Sequence, residues 1–150
     1  MTRHYPGAEL AEAIRARFPD AVADATQREV YLAGARVAEV CRYLHDDDAL
    51  DFKALVALQA VDYVDYFEVV YRLVSYRHNH LAVLKARAYG REEPSLPSVT
   101  SVWKGAELQE REVYDLMGIR FDGHPNLKRI LLWEGFDGHP LRKDFLLQRP

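Results

Sequence analysis

Apolar side chains recur at helical spacing in three segments of this chain, so that each segment would present one apolar face. The predicted helices cover Glu9–Phe18, Ala35–His45 and the second half of Ser98–Met117. In the second helix Cys41 lies on the apolar stripe, so we expect a buried small side chain rather than a reactive thiol. We expect the third helix to end at Gly118, because glycine readily adopts the left-handed conformation that closes a helix.

Residues between the second and third helices alternate between apolar and polar, which is typical of strands. We predict a hairpin over Phe67–Tyr89 with Asn79 in its turn and with arginine and lysine side chains facing water. Further short strands are predicted at Ala21–Ala25 and Glu29–Ala33, and Leu50–Tyr63 is rich in strand-forming residues. The two prolines and the glycine of Gly90–Pro97 predict a loop.

The C-terminal arm, residues 119–150, combines many apolar side chains with few signals for regular structure. It contains the sequence Phe-Asp-Gly-His-Pro twice, at Phe121–Pro125 and Phe136–Pro140, and each Asp-Gly step favours a turn. Such a segment cannot bury its own apolar side chains well. We therefore predict a core domain over residues 1–118 and an arm over residues 119–150 that lies on another protein.

Charge and cysteine content exclude several classes of function. The chain has 20 Lys and Arg against 23 Asp and Glu, a net charge of −3 that argues against nucleic-acid binding. Its single cysteine cannot form an internal disulfide or hold an iron–sulfur cluster, which favours a reducing compartment. No run of about 18 apolar residues is present, so we expect no direct insertion into a membrane.

The densest group of charged residues lies on the third predicted helix. Glu112 and Asp115 share a helical face, and Arg111 follows Glu107 at a spacing that favours an ion pair. One interpretation makes Glu112 and Asp115, with His124 and His139 of the repeated turns, the site of a metal-dependent hydrolase. We favour a structural interpretation, in which the carboxylates bind basic and backbone groups of the arm. The available basic partners are Arg129, Arg142 and Lys143.

A long motif resembles one protein family. Residues 110–132 read Glu-Arg-Glu-Val-Tyr-Asp-Leu-Met-Gly-Ile-Arg-Phe-Asp-Gly-His-Pro-Asn-Leu-Lys-Arg-Ile-Leu-Leu, and the match continues through Gly138–Phe145. This sequence resembles the signature of the thirty-kilodalton subunit of proton-pumping type-I NADH:quinone oxidoreductase, which is respiratory complex I. The resemblance covers about residues 50–147.

The resemblance implies an α+β fold, a mixed β-sheet backed by helices, with an extended C-terminal arm. It also implies a non-catalytic peripheral subunit, needed to assemble the complex that passes electrons from NADH to quinone coupled to proton translocation. FMN, the iron–sulfur clusters and quinone would belong to partner subunits, and this chain would bind no cofactor. The chief partner would be the quinone-site subunit related to the hydrogenase large subunit, on the cytoplasmic side of the cell inner membrane.

The positions that match the family motif are assigned structural and interface roles by the resemblance, with none catalytic. They are Glu110, Arg111, Glu112, Asp115, Gly123, His124, Pro125, Gly138, His139, Pro140, Arg142, Lys143 and Asp144. Related subunits of membrane-bound hydrogenases, and of dehydrogenases that use other electron donors, remain an alternative assignment. The free-standing hydrolase is a weaker one.

Overall fold

The structure of this chain, a computed structural model, describes residues 1–145, so the last part of the predicted arm lies outside the described residues. The three predicted helices are confirmed. They are α1 (Gly7–Arg17), α2 (Val37–Asp46, preceded by a 3₁₀ turn over Gly34–Arg36) and α3 (Ala106–Met117). The strands are β1 (Arg3–His4), β2 (Val22–Ala25), β3 (Glu29–Leu32), β4 (Ala54–Asp62), β5 (Tyr66–Ser75), β6 (His80–Tyr89), β7 (Ser95–Pro97) and β8 (Arg120–Asp122).

Six strands form one mixed sheet, which confirms the α+β prediction. The strand order is β2-β3-β6-β5-β4, and β1 also pairs with β6. The predicted hairpin is the antiparallel pair β5–β6, with Asn79 at φ 56° in its turn. Both β1 and β3 run parallel to β6, and they pair with successive parts of it. Strand β4 therefore lies at one edge of the sheet, next to α3.

The hydrophobic core lies against one face of this sheet. Every second residue of β5, from Phe67 to Leu73, points into it, as the alternating pattern predicts. All three helices contribute their apolar stripes to the same core. Since this core covers one face of the sheet, every second residue of β5 and β6 packs into it. Cys41 is fully buried in this core, and burial raises the pKa of its thiol, in agreement with the predicted structural role.

The opposite face of the sheet is less exposed than the sequence predicts. The pattern predicts that Lys85 faces water, but its side chain is 17% exposed and its ammonium contacts the carboxylates of Glu29 and Glu68. Glu68 is itself buried. The prediction was wrong for Lys85 because long side chains on neighbouring strands cover one another when their charges pair.

A small second sheet was not predicted. The end of the predicted loop forms β7, which pairs in parallel with β8 directly after α3. The Arg120 N–H also donates to the carbonyl of Pro94. Strands of three residues show no alternation, and this pairing joins residues that are distant in sequence, so local patterns cannot indicate it. The pairing fixes the path of the chain as it leaves α3. Within residues 1–145, no helix is both long enough and apolar enough to cross a lipid bilayer.

Candidate functional site

The C-terminal end of α3 is where the arm attaches to the core. The last carbonyls of a helix have no partner within the helix itself. Here three of them accept hydrogen bonds from the arm. His139 Nδ1 donates to the carbonyl of Asp115 (2.9 Å), the Leu141 N–H to that of Leu116 (3.0 Å) and Arg142 Nε to that of Met117 (2.6 Å). The arm thus completes the hydrogen bonding of the helix end.

The side chain of Asp115 holds a second stretch of the arm. It is fully buried. Its Oδ1 accepts from Arg129 Nη1 at 2.8 Å, and its Oδ2 accepts from three successive backbone N–H groups, those of residues 130–132, at 2.8–3.1 Å. Burial alone would raise the pKa of this carboxyl, but the backbone donors and Arg129 lower it below its usual value. Asp115 is therefore an ionised hub that fixes the arm.

Charge near the helix end explains why the arm supplies arginines. A carboxylate in the last turn of a helix is disfavoured by the partial negative charge of the free carbonyls. Helix α3 has Asp115 there and no basic residue of its own in that turn. Arg129 and Arg142 from the arm provide the missing positive charge.

Gly118 allows the close approach of the arm. It adopts φ 75°, the left-handed conformation that the sequence predicts for it, and its N–H donates to the Tyr114 carbonyl at 2.8 Å. A Cβ atom at this position would lie 2.5 Å from Arg142 Nη2 and 2.7 Å from His139 Cδ2. Glycine is therefore required both by the backbone conformation and by the arm that packs over it.

A second attachment joins the arm to the end of β4. Asp62 is buried, and it accepts two hydrogen bonds from Arg91 at 2.7 and 2.9 Å and one from the Lys143 N–H at 2.9 Å. The hydrogen bonds from Arg91 hold the pKa of Asp62 well below its usual range. Arg91 also pairs with Asp144, and Arg142 donates to the Arg91 carbonyl.

Sequence reasoning missed Asp62 and Arg91 as functional residues. Asp62 is the single charged side chain of β4. A lone carboxylate at the end of an apolar strand was the one feature of the sequence that could have indicated a buried partner for it. Arg91 follows a glycine in the predicted loop, where nothing local distinguishes it from a solvated arginine. Their pairing with residues 143 and 144 joins parts of the chain that no spacing rule connects.

The two Gly-His-Pro turns each place a histidine on α3. His124 Nε2 donates to the Glu107 carbonyl at 2.9 Å, and its Nδ1 accepts from the Asn126 N–H. His139 contacts the other end of the helix, and burial lowers its pKa. Gly123 and Gly138 both adopt positive φ beside these histidines, and a proline follows each histidine, Pro125 and Pro140. The repeated motif thus attaches the arm at two points along one helix.

Glu110 acts within the core and not on the arm. Its carboxylate accepts from the Val99 N–H at 2.8 Å and from Ser98 Oγ at 2.7 Å, which ties α3 to the segment before it. Burial raises its pKa above the usual value. The prediction that all the carboxylates of α3 pin the arm was therefore wrong for Glu110, because it lies on the core-facing side of the helix. It was also wrong for Glu112, because its side chain is exposed and its carboxylate takes part in no hydrogen bond or ion pair within residues 1–145.

Two further predictions need correction. The spacing predicts that Arg111 pairs with Glu107, but Arg111 donates to the carbonyls of Lys128 and Arg129 and so supports the arm. Arg142 is predicted to bind a carboxylate, but its guanidinium donates to the carbonyls of Arg91, Met117 and Gly118. Free carbonyls at a helix end compete well for arginine because they are fixed in place.

The residues of the hydrolase interpretation are not brought together. Glu112 is exposed, Asp115 is fully occupied by the arm, and both histidines donate to backbone carbonyls. Within residues 1–145, no group of three or more His, Cys, Asp or Glu side chains is arranged to hold a metal ion. The geometry does not support this hypothesis.

Although the arm is attached at several points, part of it presents apolar side chains to solvent. These residues, which we call the arm patch, are Ile130, Leu131 and Trp133, with exposures of 37%, 62% and 68%. The backbone N–H groups of residues 130–132 donate to the buried carboxylate of Asp115, which fixes this stretch of backbone. The arrangement therefore displays apolar side chains on a fixed backbone, which is a feature of protein-binding surfaces.

Comparison with known proteins identifies a family. The family model described as "Respiratory-chain NADH dehydrogenase, 30 Kd subunit" matches residues 30–150. An NADH-quinone oxidoreductase subunit of Roseiflexus sp. (strain RS-1) is 42% identical over 144 residues, covering 91% of this chain and 82% of the relative. The corresponding protein of Salinispora tropica is 40% identical over 157 residues, covering 96% of this chain and 64% of the relative. This chain thus spans less than two thirds of some relatives.

A solved structure shares the fold. A chain in the membrane-bound sulfane sulfur reductase, an archaeal respiratory membrane complex, superposes with a TM-score of 0.74 at 23% sequence identity. The match covers 93% of this chain and 85% of the other. At this identity the likeness concerns the fold alone.

Proposed function

Because this chain belongs to the family of the 30 kDa subunit of respiratory-chain NADH dehydrogenase, we propose that it is a non-catalytic subunit needed to assemble the NADH:quinone oxidoreductase. In this role it holds other subunits together while electrons pass from NADH to quinone, coupled to proton translocation. FMN, iron–sulfur clusters and quinone are held by its partners.

The observation that carries this proposal is the construction of the arm. Ionisable groups where the core meets the arm are used to attach the arm: Asp115 binds Arg129 and three backbone N–H groups, and Asp62 binds Arg91 and the Lys143 N–H. Groups with this many fixed partners are unsuited to proton transfer or metal binding. The side chains left facing outward in the arm patch are apolar, and they offer binding area rather than reactivity.

In this proposal the chain has two parts that serve binding. They are a core, residues 1–118, and an arm, residues 119–150. The core provides α3 and β4 as the support, and the arm carries the surface that meets the partner. That partner is the quinone-site subunit related to the hydrogenase large subunit, and it holds this chain at the cytoplasmic face of the inner membrane. Among the motif residues, Arg111, Asp115, His124, His139 and Arg142 act by shaping and attaching the arm, whereas Glu110 ties α3 to the core.

Purification of the complex through this chain tests the proposal. An affinity tag on the N-terminus of this chain, in its own host, should recover an assembly that contains the quinone-site subunit and oxidises NADH with quinone. The tagged chain expressed alone should show no oxidoreductase activity. Recovery of a hydrogenase or another donor's dehydrogenase would replace the proposed assignment. Recovery of the chain without any of these subunits would refute it.

A further inference from the structure

A second apolar surface lies at the edge of the main sheet, separate from the arm patch. A groove of about 410 Å³ runs between β4 and α3. On one side it is lined by residues 56–61 of β4, and on the other by α3 residues that include Gln109, Glu112 and Leu116, with Leu141 of the arm at one end. We call this surface the edge groove.

Strand β4 has an unpaired side that could accept another strand. It is the last strand of the sheet, and β5 covers one of its sides. The Leu58 N–H points away from β5, since it donates to Gln109 Oε1 at 2.6 Å. Backbone groups two residues along an antiparallel strand point in the same direction, so the N–H and C=O of Ala60 also point outward.

The side chains of this edge lack the usual protection against strand addition. Proteins commonly place charges or prolines on exposed edge strands. Residues 54–61 of β4 carry neither, and Val56 and Val61 are 49% and 40% exposed. The apolar surface continues beyond the strand at Tyr63 and Val64. Val64 adopts φ 74° in this exposed turn, a conformation that is unfavourable for a branched side chain.

The charge of the edge groove narrows the choice of occupant. Among the described residues that line it, Glu112 is the only charged one, and none of the ion pairs or hydrogen bonds within residues 1–145 uses its carboxylate. A complementary segment would be apolar and extended, with one Lys or Arg opposite Glu112. A second copy of this chain fits poorly, because β4 has no basic side chain and ends in Asp62.

We infer that the edge groove binds an extended segment of another subunit, which adds to β4 as a further strand and places a basic side chain against Glu112. Backbone hydrogen bonds with the outward N–H and C=O of Ala60 would provide affinity, since the Leu58 N–H already donates to Gln109. The exposed valines and Glu112 would provide selectivity. A span of six residues, about 20 Å at strand spacing, suits a segment of five or six residues. The inference rests on the proposed function, since it requires that this chain be part of a larger complex.

Photo-cross-linking in the assembled complex tests this inference. A benzophenone amino acid replaces Val61 in the tagged full-length chain, and the cross-linked peptide is identified by mass spectrometry. The matched control places the same group at Tyr76, which is 75% exposed in the β5–β6 turn. We expect position 61 to join an apolar segment of another subunit that contains Lys or Arg, and position 76 to give no such product. A cross-link to a second copy, to the same chain, or to no subunit would overturn the inference.

Reversal of the groove charge provides the second measurement. The variant Glu112→Arg, combined with the cross-linker at position 61, should lower the yield of the product about tenfold, because like charges would then face each other. The matched variant Glu12→Arg, on the exposed side of α1, should leave the yield unchanged. Equal yields for both variants would refute the role of Glu112. Thermal unfolding of both isolated chains verifies that Glu112→Arg remains folded.

The two proposals fail in different ways. If the tagged chain recovers no oxidoreductase complex, the proposed function is wrong. If the complex is recovered with its full activity but position 61 reaches no other subunit, the proposed function stands and the edge groove inference alone is wrong.

Discussion

Replacement of Asp115 by asparagine tests the attachment of the arm with the smallest change in shape. The amide nitrogen of the asparagine must face either Arg129 or the three backbone N–H groups that donate to Oδ2 in the wild type. In either orientation a donor meets a donor. Arg129, whose side chain is 19% exposed, also loses its counter-charge.

The expected cost follows from these contacts. A hydrogen bond to a charged group contributes about 1.5–3 kcal/mol, and removing one member of a buried ion pair costs about 3–5 kcal/mol. We therefore expect Asp115→Asn to destabilise the attached arm by about 3 kcal/mol or more. Because none of residues 128–145 belongs to the hydrophobic cluster, this loss should first release that part of the arm and not unfold the sheet.

Hydrogen exchange on the isolated full-length chain measures this effect. The amides of residues 130–132 should exchange at least about a hundredfold faster in Asp115→Asn, since each 1.4 kcal/mol changes an opening constant tenfold, while the amides of β5 keep their protection. The matched control Asp137→Asn changes an exposed carboxylate of the same arm and should have no effect. Unchanged protection of residues 130–132 in Asp115→Asn would refute the role of this carboxylate.

Further predictions concern the helix end and the core. Gly118→Ala should destabilise the chain by about 1–3 kcal/mol in thermal unfolding, because residue 118 has φ 75° and the added Cβ would meet Arg142. The control Gly105→Ala should not destabilise the chain, because residue 105 has φ −62° and its Cβ would lie in open space. Arg142→Ala should cost about 2–3 kcal/mol through unsatisfied carbonyls and should reduce the amount of complex in membranes while the turnover of each assembled complex stays normal. The raised pKa of Glu110 means that wild-type stability falls as pH rises from the usual glutamate pKa through the folded value, so Glu110→Gln should show a flatter stability profile above the usual glutamate pKa.

Each of these predictions has an outcome that contradicts it. Equal melting temperatures for Gly118→Ala and Gly105→Ala would show that the arm does not pack over the helix end. An abundant but inactive complex with Arg142→Ala would assign this residue to the reaction itself. A pH profile of Glu110→Gln parallel to that of the wild type would mean that Glu110 is not held in an unfavourable environment for its charge.

The sequence predicted those parts of the fold that depend on local patterns. The apolar stripes of the helices and the alternation from Phe67 to Tyr89 give the core and the central hairpin, because periodicity records which face is buried. The left-handed Gly118 was predictable for the same reason, since a helix end has a local signature. The β7–β8 pairing and the burial of Glu68 were not predictable, because both depend on residues that are close only after folding.

The residues of the candidate site also differ in whether the sequence could predict their contacts. Asp115 and Arg129 were predictable as partners because the motif places a carboxylate and an arginine in one conspicuous segment. The pair formed by Asp62 and Arg91 was not, since it depends on how the arm returns to the end of β4. The preference of Arg142 for carbonyls also needed the structure, because a sequence shows charged partners more readily than the free carbonyls of a helix end.

If the arm is fixed to the core in order to present an apolar surface to a partner, then removing that surface should prevent binding of the partner. The double variant Leu131→Ser, Trp133→Ser removes it, with Tyr76→Ser as the control for loss of an exposed apolar side chain elsewhere. The amount of complex recovered through the tagged chain is measured together with the thermal stability of the isolated chain and the NADH:quinone turnover of each assembled complex. We predict much less complex, with stability and turnover near those of the control. Normal recovery of the complex, whether its turnover is normal or lost, would show that these side chains do not bind the partner.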